Sequence, residues 1–159
     1  MFMRNITLFL FWWFLFFSIS TSRADNEINL DIDENGEYDA LSDGLLIIRY
    51  LFGLTGDDLV SGILGSNSLV VEPIEIKSKL DSMRANLDVD GNGSVDALTD
   101  GLLILRYLFG LRGDSLVTQV IGTGAARNSS ESIEDYVTRI RPIITLIEGK
   151  RGSGVFSVR

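Results

Sequence analysis

Residues 87–110 read LDVDGNGSVDALTDGLLILRYLFG, and residues 30–53 read LDIDENGEYDALSDGLLIIRYLFG. At a fixed offset of 57, Leu30–Leu64 and Leu87–Ile121 share 23 identities in 35 positions. A duplication of this quality outranks any local motif, because it says that one folding unit occurs twice. The shared positions fall into an acidic, glycine-punctuated loop, an apolar run with a single arginine, and a trailing Gly-Asp-x-Leu-Val.

In the second loop Asp88, Asp90 and Asn92 alternate, and Gly93, Ser94 and Asp96 follow; the first loop has Asp31, Asp33, Asn35, Gly36, Glu37 and Asp39. An EF-hand calcium loop sets oxygen ligands at positions 1, 3 and 5, a turn glycine at 6, a backbone carbonyl at 7 and a further ligand at 9. Both loops follow that order. Tyr38 and Val95 suit position 8, which bridges to the partner loop. The usual bidentate Glu at position 12 is replaced by Ser42 or Thr99, and the acid arrives one residue later as Asp43 or Asp100. If Asp39 and Asp96 cap the exit helix, the later Asp lies at i+4 on the same helical face and also looks into the loop. Asp31, Asp33, Asn35, Glu37, Asp39 and Asp43, with Asp88, Asp90, Asn92, Ser94, Asp96 and Asp100, are therefore the candidate ligands of two calcium ions. An affinity of roughly 10⁻⁵ to 10⁻³ M is expected. Four Asp carboxylates per loop repel one another unless a divalent ion lies among them. The alternative is a pair of Asx/Gly turns that only start helices.

The totals fit that chemistry. The chain carries a net charge of −8 over 159 residues, with no cysteine and no histidine. Ten of its 22 acids lie between Asp31 and Asp43 or between Asp88 and Asp100. Acidity disfavours nucleic acid and anionic membrane. The absence of histidine removes Ser-His-Asp and Cys-His catalysis and the commonest zinc ligand. No enzyme is expected. A hydrolase using paired carboxylates is the competing class, but the loops account for every clustered pair.

Residues 1–24 combine Arg4, an apolar run from Ile6 to Phe17 and a small-x-small Ser22-Arg23-Ala24. This order predicts a signal peptide, hence a secreted, periplasmic or cell-surface product, with an uncleaved membrane anchor as the alternative. Its removal takes the charge to −10. Residues 25–147 form the predicted duplicated calcium-binding domain, and residues 148–159 a flexible basic tail.

The fold class expected is all-α: paired calcium loops, exit helices ending at Gly53 and Gly110, and additional amphipathic helices. Gly56-Asp57-Asp58-Leu59 and Gly113-Asp114-Ser115-Leu116 read as N-capped short helices ending near Gly65 and Gly122. A helix over about 73–86 enters loop two, with Pro73 in its first turn. A further helix over 130–147, kinked or divided by Pro142, is expected to fold back as the missing partner of loop one. Arg112-Gly113-Asp114 matches an adhesion tripeptide; the first repeat has Thr55 in place of the arginine, which favours a plain helix start.

Asp100-x-x-x-x-x-Arg106-Tyr107-Leu108-x-Gly110, after an Asp-rich loop and present twice, resembles the type I dockerin repeat. The resemblance spans about Asp31–Gly53 and Asp88–Gly110. It implies a calcium module of paired loops and exit helices that plugs exported proteins, often glycoside hydrolases, into a cohesin partner. The chain departs from that pattern in the extra residue before the last Asp, in Ala40-Leu41 and Ala97-Leu98 where small hydroxyl residues are usual, and in Ile48 or Leu105 where lysine precedes the arginine. A calcium-stabilised spacer without a cohesin partner is the alternative.

Overall fold

The computed structural model describes residues 28–141, and they form an all-helical fold without strands. The expected signal peptide, Pro142 and the basic tail lie outside the described residues. Six α-helices follow in chain order: α1 (Leu45–Leu51), α2 (Asp57–Val60), α3 (Pro73–Met83), α4 (Leu102–Leu108), α5 (Asp114–Val117) and α6 (Ser130–Arg139). None is long and apolar enough to cross a membrane.

The exit helices are the centre of the core. Leu46, Ile47, Leu103 and Ile104 are buried, together with loop residues Leu30, Ile32, Leu87 and Val89. At 0.8 kcal/mol or so per buried methylene, this apolar seam is the main stabilising term. Glycine allows its close approach: a Cβ on Gly44 would stand 2.7 Å from Leu105 Cδ1, and one on Gly101 would stand 3.2 Å from Ile48 Cγ1. Each repeat thus presses its loop exit onto the other's exit helix.

The Arg-Tyr pair that both exit helices carry holds each repeat together. Arg49 donates to the carbonyls of Asp58, Leu59 and Ser61 at the end of α2, and Arg106 does the same to Ser115, Leu116 and Thr118 at the end of α5. A guanidinium there satisfies carbonyls that a four-residue helix leaves open. The Tyr50 hydroxyl donates to Asp81 on α3 at 2.8 Å, and the Tyr107 hydroxyl bonds Thr138 on α6 at 2.9 Å.

These contacts correct three expectations. The C-terminal helix does not partner loop one: α6 packs on α4 and α5 of its own repeat. Helix α3 leads into loop two through a 3₁₀ turn, Arg84–Leu87, yet packs on α1 and α2 of repeat one. Each long helix therefore closes the repeat it follows, while the Arg141 guanidinium just past α6 lies 4.9 Å over the Tyr38 ring of loop one. The third correction concerns α2 and α5, which stop at Val60 and Val117, short of Gly65 and Gly122, and start on Gly56 and Gly113 with no side-chain cap.

The duplication is consequently longer than the sequence identities. Buried Ile76, Leu80 and Met83 stand where Ile133, Val137 and Ile140 stand 57 residues on. Tyr38 and Val95 are half-buried against the core, and among the described residues no β-bridge joins them.

Candidate metal centre

Each loop folds around its own carboxylates. Asp31 accepts from the backbone N–H groups of Asn35 (3.0 Å) and Gly36 (2.9 Å), and Asp88 from Gly91, Asn92 and Gly93. The turn glycines Gly36 and Gly93 have φ of 87° and 84°, which favours glycine at that position. Asp33 and Asp90 are buried, and the chain after the short helix returns to them. Gly65 N and Ser68 Oγ donate to the Asp33 carboxylate, and Gly122 N donates to Asp90 Oδ2 at 2.6 Å.

The displaced acid reaches back to the start of the loop. Asp43 Oδ1 accepts from Ile32 N at 2.6 Å and Oδ2 from Asp39 N at 3.0 Å; Asp100 accepts from Val89 N at 2.7 Å and Asp96 N at 3.0 Å. The turn that allows this is π-helical, over Ala40–Gly44 and Ala97–Gly101, with Gly44 N bonded to Asp39 O and Gly101 N to Asp96 O. An i+5 turn is wider by one residue than an α-turn. It absorbs the extra residue before Asp43 and Asp100 and turns both carboxylates inward.

Two clusters result. Asp31, Asp33 and Asp43 bring carboxylate oxygens within 4.8 Å of one another, as do Asp88, Asp90 and Asp100. Either cluster could hold a metal ion. All but Asp88 are buried. Burial pushes Asp43 up to about 7, against the pull of hydrogen bonds from Asp39 and Ile32, and the charges of Asp33 and Asp31 add to the rise. Burial also raises Asp31 and Asp100.

Of the other predicted ligands, the carboxylates of Asp39, Asp96 and Glu37 lie outside these clusters. Asp39 Oδ1 accepts from Leu41 N and Ser42 N and Oδ2 from Ser42 Oγ, and Asp96 makes the same cap with Leu98 and Thr99. Burial would raise both, but the Ser42 or Thr99 hydroxyl and the capped N–H groups outweigh it and hold them low. Asn35 and Asn92 tie the loop internally, through Glu37 N or Ser94 N to the amide oxygen at 2.7 Å. The Glu37 and Ser94 residues are exposed, and position 7 asks only for their carbonyls.

Two basic residues went unread in the sequence. Lys79 Nζ donates to Asp31 O at 2.6 Å, and Arg127 donates to Val89 O at 2.6 Å and to Asp88 O at 2.5 Å. Neither has a local signature, since both lie far along the chain from the loops they touch. Arg112 of the adhesion-like tripeptide donates to Tyr107 O and Leu111 O and covers the Tyr107 ring at 3.9 Å, so its side chain is engaged within the fold.

The chain matches no family model, no curated protein and no solved structure.

Proposed function

We propose that each acidic cluster binds one calcium ion and that the protein is a calcium-stabilised two-repeat domain. The observation that carries this reading is the convergence of three Asp carboxylates in each loop, nearly all of them buried. Buried like charges are costly without a counter-cation. The chain has no histidine or cysteine, and an all-oxygen ligand set suits a hard cation. Asn35 and Asn92, with the Glu37 and Ser94 carbonyls, complete a coordination of the size calcium takes, while magnesium keeps more of its water. Asp39 and Asp96 join through water or serve as helix caps only. Calorimetric titration of residues 25–159, with helix content and melting followed in calcium and in chelator, tests this. Two ions per chain and a rise in melting temperature support it; no heat at millimolar calcium overturns it.

On the resemblance to dockerins, we further propose an exported docking module with a cohesin-like partner, associated with extracellular polysaccharide breakdown. Leu41 and Leu98, 64% and 63% exposed at equivalent places after the loops, support a protein-binding surface, as do the exposed Phe52 and Phe109. The spacer reading has no use for paired exposed apolar residues. Pull-down on a panel of cohesins, with and without chelator and with Leu41→Asp/Leu98→Asp, separates the two: calcium-dependent capture lost in the variant supports docking, and no capture favours the spacer.

A further inference from the structure

The two basic residues behind the loops reach equivalent carbonyls from non-equivalent places. Shifting by 57 residues places Val70 where Arg127 stands and Lys79 where Tyr136 stands. In repeat one the ammonium comes from helix α3, bonding Asp31 O at 2.6 Å and Glu34 Oε1 at 3.0 Å. In repeat two the guanidinium comes from the segment before α6, bonding Asp88 O and Val89 O and lying 4.0 Å over the Tyr136 ring. The partners change in step. Loop one has Glu34 to pair with Lys79; loop two has Gly91, where a Cβ would stand 2.9 Å from the Arg127 guanidinium. Backbone N–H groups of the two segments meet their loops alike, Val70 N on Asp33 O and Arg127 N on Asp90 O. The backbone pairing is shared, while the source of the cation and its side-chain partner differ.

Common descent of the two repeats does not explain a cation delivered to the same carbonyl by different residues on different elements. The local electrostatics does. Each loop holds three convergent carboxylates, and a fixed positive charge at its first residue offsets their repulsion. A hydrogen bond to a carbonyl needs only a neutral donor, so charge at both places is the feature to be explained.

We infer that Lys79 and Arg127 are built-in countercharges, positioning residues that hold the acidic loops in shape when no metal is bound and that oppose the incoming cation. This rests on the reading of the loops as cation sites. A metal-free cluster gains more from the nearby positive charge than one already neutralised by a divalent ion. Removing the charge therefore weakens the metal-free fold and tightens metal binding, which a purely structural tether would not do.

The test uses residues 25–159 carrying Lys79→Gln and Arg127→Gln, which keep a neutral donor, beside Lys79→Arg and Arg127→Lys, which keep the charge. In chelator at low salt the Gln variants are expected to melt roughly 4 °C or more below the parent. That loss shrinks in 0.5 M salt and in calcium, and the charge-keeping variants recover most of it. Calcium titration of the Gln variants is expected to show binding roughly threefold or more tighter than the parent. Equal losses in chelator and calcium, independent of salt, with calcium affinity unchanged or weaker, would overturn the inference. If the parent itself takes up no calcium, the cation-site reading fails; the countercharge then stands or falls on the salt dependence and charge rescue in chelator.

Discussion

Gly44 lies against Leu105 so closely that a Cβ there would come 2.7 Å from Leu105 Cδ1, and Gly44 directly follows Asp43, the acid that closes loop one. The same holds for Gly101, beside Asp100 and against Ile48. The residue that completes each cluster thus adjoins the residue on which the two repeats meet.

Substitution at Gly44 measures that contact. Ala gains about 1 kcal/mol of helix propensity over Gly, and the end of the Leu105 side chain can shift. Gly44→Ala is therefore expected to change stability by less than about 1 kcal/mol. Gly44→Val adds two methyls beyond the alanine Cβ to a filled interface and is expected to cost about 1–3 kcal/mol in urea unfolding. A Val variant as stable as Ala would show that the repeats are not in register contact there.

The pH dependence should differ in sign with and without metal. Asp43 is raised from 3.8 to about 7 in the fold, so between those values the folded state binds the extra proton. The metal-free protein then gains stability as pH falls from 7 towards 4, and loses it as pH rises through 7. Asp31 and Asp100 shift in the same direction. Calcium needs the ionised form, so its affinity falls over the same interval. Melting curves in chelator and in calcium from pH 4.5 to 8 are expected to slope in opposite directions.

Asp43→Asn keeps an acceptor for Ile32 N while removing a charge from cluster one. The expected result is one calcium per chain, at loop two, with at least a tenfold weaker loop one; Asp100→Asn should leave only loop one. Calorimetric stoichiometry checks both. Two undiminished sites in Asp43→Asn would remove the displaced acid from the ligand set.

Ile76 and Ile133 are fully buried at equivalent places on α3 and α6. Each is expected to lose about 2–5 kcal/mol on replacement by Ala. Hydrogen exchange should show the loss from Ile76→Ala first in loop one and that from Ile133→Ala first in loop two. The reverse pattern would restore the crossed pairing of helices and loops.

Much of this domain was legible in its residues. Alternating Asp and Asn before glycine, an Asp cap and an apolar run are local signals, and they located both loops, both exit helices and the candidate acids. The π-turn was not legible, although its cause was visible as one residue too many before Asp43 and Asp100. Spacing shows a mismatch, and only the backbone shows how a wider turn absorbs it.

The sequence by itself determined the two loops and their duplication over 35 positions, because turns, caps and carboxylate spacing act between near neighbours. The tertiary structure decided which long helix closes which loop and where the countercharges come from. Ile76, Leu80 and Met83 answer to Ile133, Val137 and Ile140 by burial more than by identity. Burial is non-directional, so apolar spacing marks a face for packing and leaves its partner to the fold.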